Sequence, residues 1–109
     1  MIDIWVDAVK KKFPLVVNYQ KLERLICPHL LGKTGAGRYV LHAFQYGGQT
    51  SKGEIKDPSQ GQWRFFYLDE LEFVQIEAYC TAWHPEDLVK SDKEYTPPKF
   101  IETVIAMAE

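Results

Sequence analysis

At Pro14 the spacing of apolar residues changes period, and that change constrains the fold more than any other feature of the sequence. Before it, Ile2, Trp5, Val9 and Phe13 recur at intervals of three and four, the repeat of one helix face. Lys10, Lys11 and Lys12 then fall where cations complement the helix dipole, and a proline disfavours helical geometry in the residue before it. The pattern predicts a helix over 2–13. After Pro14 the segments become short, β-branched and aromatic. Leu15–Tyr19 and Leu22–Leu31 read as strands, the second at an edge or bulged near Pro28, because proline has no N–H to give to a ladder. Gly32–Gly37 reads as a turn, Arg38–Tyr46 as a long strand, and Gly47–Gln62 as a loop of about fifteen residues rich in glycine and polar side chains. Gln62–Leu68 is the fourth strand, Asp69–Leu71 a corner, and Phe73–Cys80 the fifth, with Val74, Ile76 and Ala78 inward and Gln75 and Glu77 outward. His84–Leu88 reads as a turn. Thr96 is placed as an N-cap before Pro97, and Phe100, Ile101, Val104, Ile105 and Ala108 form one stripe of a terminal helix over 97–108. About five short antiparallel strands over 15–80 imply a small barrel. The expected architecture is a mainly β (α+β) single domain over 1–109, an SH3-like barrel with one N-terminal and one C-terminal helix.

Size and composition agree with this. The chain has 109 residues, 46% of them apolar, 26% charged and 14% aromatic, a globular composition with room for one domain. No apolar run approaches the roughly 20 residues of a membrane-spanning helix. The opening residues carry an acid and no basic region, unlike a signal peptide. Two cysteines, Cys27 and Cys80, are too few for a disulfide framework. The expected compartment is the cytoplasm. Net charge is −2, yet residues 1–64 hold ten basic and five acidic side chains and residues 65–109 hold three and ten. A basic half attracts anions such as phosphates unless the fold interleaves the two halves.

The order of the strand motifs resembles the WYL domain. Val17-Asn18-Tyr19 fits that family's aliphatic-x-Tyr, and Ile26-Cys27-Pro28 fits its aliphatic-x-Pro. Tyr39-Val40-Leu41 stands where the name-giving triplet lies, and Arg64-Phe65-Phe66-Tyr67-Leu68-Asp69-Glu70-Leu71 fits the final motif, with Glu70 where the family has a second arginine. The match spans roughly residues 15–76. The resemblance implies an SH3-like or Sm-like barrel of bacterial regulators, here standing alone without a helix-turn-helix, that senses nucleic-acid-related anions. It implies no enzyme, cofactor or metal.

Arg64 shares a strand face with Phe66 and Leu68 and is the central candidate for ligand binding: a guanidinium offers a planar fork to phosphate or carboxylate. The alternative is an internal ion pair with Asp69, Glu70 or Glu72. Tyr19, Tyr39, Arg38 and His42 complete the expected ligand set, for a nucleotide or oligonucleotide. Trp63, Phe65 and Tyr67 occupy the opposite face of the same strand, and one barrel interior cannot take both faces. The terminal helices, a second subunit or partner protein, or stacked bases would have to cover them. Cys27, His29 and His42 lack the paired spacings of a zinc site and read as a buried thiol and two strand histidines. The acids after residue 68 read as a solvated rim, and the glycine segments lack a phosphate-loop pattern. The expected function is a non-enzymatic ligand-binding or regulatory module; the alternative is an interaction module that dimerises through the outer aromatic face.

Overall fold

The computed structural model describes residues 2–57, 60–76 and 97–108. Helix α1 (Asp3–Lys11) precedes seven strands: β1 (Leu15–Tyr19), β2 (Leu22–Thr34), β3 (Tyr39–Thr50), β4 (Gly53–Ile55), β5 (Gln62–Tyr67), β6 (Leu71–Ile76) and β7 (Ile101–Met107). α1 buries Trp5 and Val9 of the stripe read from the sequence, and Ala8 beside them, while Ile2 and Phe13 pack against the same core. It closes with Lys12 in the left-handed region, Lys12 N–H meeting the Val9 carbonyl and Phe13 N–H that of Ala8, a Schellman ending.

All strand pairs are antiparallel. β2 and β3 are the long central pair. The first half of β2 pairs with β1 and its second half with β7; the first half of β3 pairs with β5 and its last residues with β4. β1 also pairs with β6. The path β6-β1-β2-β3-β5 cannot lie flat. Four inter-strand spacings of about 4.8 Å would hold β5 and β6 about 19 Å apart. Their link is the 3₁₀ turn Leu68–Glu70, and such a turn advances about 2 Å per residue. The sheet therefore curls into an antiparallel half-barrel. Its inner face carries Leu15, Val17, Tyr19, Ile26, Leu41, Ala43 and Phe66, and α1 packs Trp5, Ala8 and Val9 onto the same core. A second layer lies on the outer face, where Leu30, Val40 and Ile101 cluster beside Tyr67 and Met107.

Four expectations need correction. The C-terminal helix over 97–108 is strand β7. Ile101, Thr103, Val104 and Ile105 are β-branched, which favours extended backbone. β2 runs on past β1, so its second half offers a free edge for Leu30–Thr34 to pair with Met107–Ile101. Gly32 lies so close to Ile101 and the Thr103 carbonyl that a Cβ there would collide with both. The predicted loop 47–62 contains strand instead. β3 continues to Thr50 and folds back as β4, with Thr50 Oγ1 donating to the Gly53 carbonyl at 2.9 Å. The turn predicted at 32–37 is tighter, since β2 extends to Thr34. The fifth strand is out of phase with its prediction. Leu71 and Phe73 pack on the core, while Val74 and Ile76 are each 43% exposed. A bulge turns Val74 out: Val16 faces Gln75 and Val17 faces Phe73, leaving Val74 as the extra residue, while Ile76 faces Leu15 at the last position of β6. Residues 77–80 and the turn expected at 84–88 lie outside the described residues, as does the Thr96 cap. The bulge expected at Pro28 is present, for Pro28 faces Ala43 and Leu30 faces His42, with His29 between.

Candidate functional site

Period-two alternation and strand register bring two arginines to one end of the inner face. On β5, Arg64 lies inward with Phe66. On β3, Ala43 pairs with Arg64 and Gln45 with Gln62. On β2, Ile26 pairs with Gln45, and Arg24 follows two residues back on the same side. Gly48, at φ +83°, closes the β2–β3 ladder here. Its hydrogen lies where a Cβ would stand 2.5 Å from the Glu23 carbonyl and 2.8 Å from the Arg24 Cα, so glycine permits this approach.

Arg24 is only 2% exposed. Its guanidinium carbon lies 5.4 Å from the Tyr19 ring centre and 5.8 Å from that of Phe66, within cation–π range. The two rings meet edge to face at 5.0 Å. Arg24 Nη1 donates to Gln45 Oε1 at 3.4 Å. Gln45 is fully buried, and its Nε2 donates to the Gly47 and Gln49 carbonyls at 3.0 Å each, which aims its Oε1 at Arg24. Half-buried Arg64 donates from Nη2 to Gln62 Oε1 at 2.9 Å. The Nε–H of each arginine is buried without a hydrogen-bond partner among the described residues. Burial, then the charge of Arg64, pulls the Arg24 pKa below its ordinary value, while Tyr19 opposes that fall. The Arg24 guanidinium still stays cationic at neutral pH. Burial raises the Tyr19 pKa against the lowering effect of the Tyr67 N–H that it accepts at 3.4 Å, so the phenol stays neutral.

Among the described residues neither Arg24 nor Arg64 meets a carboxylate. Two of the three acids that the sequence offers to Arg64, Asp69 and Glu70, are taken by Arg38. Its Nε and Nη2 hold Asp69 at 3.3 and 2.8 Å, and Nη2 reaches Glu70 at 3.3 Å. This ion pair sits on the surface, with the guanidinium carbon 3.6 Å from the Tyr67 ring centre.

The expected ligand residues thus separate. Arg64 and Tyr19 converge with Arg24 on the inner face. Arg38 is engaged in its own ion pair, and Tyr39 is exposed with Lys33 Nζ 4.8 Å from its ring centre. His42 is buried on the outer face, stacked on Trp63 at 4.9 Å and Phe65 at 4.6 Å. His29 meets the edge of Trp63 at 4.5 Å and donates its Nδ1–H to the Cys27 carbonyl at 2.7 Å. Burial pushes both imidazoles down to about 4. Trp63 and Phe65 remain 38% and 37% exposed, and Phe100, itself 46% exposed, sets its edge on Phe65 at 5.0 Å. The C-terminal segment therefore covers part of this face, as a turn before a strand.

Arg24, Gln45 and Gln62 were missed from sequence. The signal was present in parity: Arg24 shares its side of β2 with Ile26, so an inward Ile26 brings a cation in with it. No protein-family model, curated protein sequence or solved structure matches this chain. Among the described residues no cluster of three metal-ligating side chains occurs, and no helix is long and apolar enough to cross a membrane.

Proposed function

We propose that the chain is a non-enzymatic ligand-binding and regulatory module on an SH3-like barrel, taking a nucleotide-like anion between Arg24 and Arg64. One observation carries the reading: a nearly fully buried arginine lies beside a second arginine, with no carboxylate on either among the described residues. Burying a cation without a counter-charge is costly, and two together cost more. A bound oxyanion relieves that cost, and the two unused Nε–H donors fit it. The strand path β6-β1-β2-β3-β5, with a 3₁₀ turn between the outer two strands, supports the SH3-like assignment. The order of motifs resembling the WYL domain agrees with both parts of the reading.

The ligand would bridge β2 and β5, which flank β3, so binding would tighten the sheet. Melting in phosphate and in chloride at matched ionic strength tests this. A ligand at about 100 times its Kd adds about 2.7 kcal/mol, several degrees for a chain of this size. The gain should vanish in Arg64→Gln, which also controls for general salting effects. Equal melting in both salts would refute the reading.

The exposure of Trp63, Phe65 and Phe100 favours a second reading, an interaction module that dimerises through this face. Sedimentation of the intact chain and of Phe65→Ser over a concentration series distinguishes it: only the parent chain should associate.

A further inference from the structure

The two arginines carry information about ligand charge as well as ligand sign. Each guanidinium is already steered by a glutamine carbonyl, Arg24 by Gln45 and Arg64 by Gln62. Among the further N–H donors of each is a buried Nε–H with no partner among the described residues. Two cations then face a ligand with no carboxylate of the described residues to neutralise either. A monoanion would leave one of them uncompensated in a buried setting, whereas a dianion neutralises both. Access adds a second constraint. Arg24 is 2% exposed and backed by the rings of Tyr19 and Phe66, so only the end of a molecule can reach it. A phosphodiester carries a single charge and continues on both sides of phosphorus. A phosphate monoester presents three unsubstituted oxygens, carries close to two charges at neutral pH, and leaves by one side.

We propose that this site, given the anion-binding reading above, selects a terminal phosphate monoester, or the free phosphate with the same chemistry, and rejects phosphodiesters. Nucleic acid would then be recognised by a phosphorylated end, never by its internal backbone. Among the described residues, the titratable groups that face Arg24 are Arg64 on β5 and Tyr19 on β1. Burial raises the Tyr19 pKa further from neutrality, so pH acts through the ligand's own second proton, which leaves near pH 6.

The test is calorimetric titration of the intact protein with inorganic phosphate, methyl phosphate, adenosine 5′-monophosphate, dimethyl phosphate and sulfate. Methyl phosphate should bind at least about tenfold more tightly than dimethyl phosphate, the factor set by about 1.4 kcal/mol. Its affinity should fall by about tenfold from near pH 7.5 to near pH 5 as it becomes a monoanion, while that of sulfate, a dianion throughout, stays level. Inorganic phosphate against methyl phosphate and the adenosine monophosphate separates a free-phosphate site from one that also reads the organic portion. Arg64→Gln should abolish the monoester preference with the circular dichroism spectrum retained, and Arg64→Lys, which keeps charge without a fork, should weaken it less. Monoester and diester affinities less than tenfold apart, both lost in Arg64→Gln, would overturn the monoester proposal and leave the anion reading standing. Failure of every anion to bind, or binding indifferent to Arg64→Gln, would overturn both.

Discussion

Acid should unfold this protein through two histidines. His29 and His42 are buried against Trp63, and burial pushes both down to about 4 from the ordinary 6.5. In the folded chain the imidazoles therefore stay neutral where an unfolded chain would take up protons. The unfolded state binds more protons between pH 6.5 and 4, so stability rises with pH across that window and is complete above it. Acidification from about pH 7.5 to about 4.5 should cost about 2.5 kcal/mol per histidine, from a displacement worth about 1.36 kcal/mol for each pH unit. The pair costs about 5 kcal/mol, comparable with the entire stability of many domains. His42→Phe keeps a flat ring between Trp63 and Phe65 and removes one titration. His29→Asn keeps a donor for the Cys27 carbonyl and removes the other. Urea unfolding of the parent and double variant at several pH values measures the difference, which also subtracts the carboxylates common to both. The double variant should lose about 5 kcal/mol less than the parent on acidification. Equal losses in the two proteins would refute the argument that these rings are buried neutral.

Two further outcomes follow from the geometry. Arg24→Met replaces a buried cation by an apolar chain of similar length, and without phosphate it should stabilise the fold by about 1–3 kcal/mol while abolishing stabilisation by phosphate, read by urea unfolding with and without the anion. Gln20 and Lys21 form the two-residue β1–β2 turn at φ 53° and 65°, a type I′ geometry that suits Asn-Gly; the double change Gln20→Asn with Lys21→Gly should raise stability by about 1 kcal/mol in the same assay.

Much of the fold was legible because burial imposes a period. The helix stripe, five of the seven strands and the Pro28 bulge follow from alternation and from the missing proline N–H. The errors share one cause, the tertiary partner of a segment. Ile101 to Ile105 satisfies a helical stripe and an extended strand alike, and only the free edge of β2 decides between them. Val74 looked inward because a bulge opposite Val16 and Val17 cannot be read from β6 itself. Glycines 47, 48 and 53 read as breakers, yet they carry a strand through a close approach and into a hairpin. The candidate site was half visible. Arg64 and Tyr19 stood out by residue type and motif order. Arg24 did not, because an arginine in a strand is ordinarily exposed, and only its side of β2 relative to Ile26 places it inside. The capture of Asp69 and Glu70 by Arg38 depends on the turn that brings Arg38 beside the 3₁₀ link, a separation in sequence that no local pattern reports.

The most direct measurement is a crystal of the intact protein soaked in selenate, a tetrahedral dianion located by its anomalous scattering. An anomalous peak is expected within about 4 Å of the Nε atoms of both Arg24 and Arg64, one Se–O bond beyond the oxygens that accept charge-assisted hydrogen bonds, and it should disappear in Arg64→Gln. Selenate bound only at surface lysines, or a carboxylate of the chain itself filling the space between the two guanidinium groups, would contradict it.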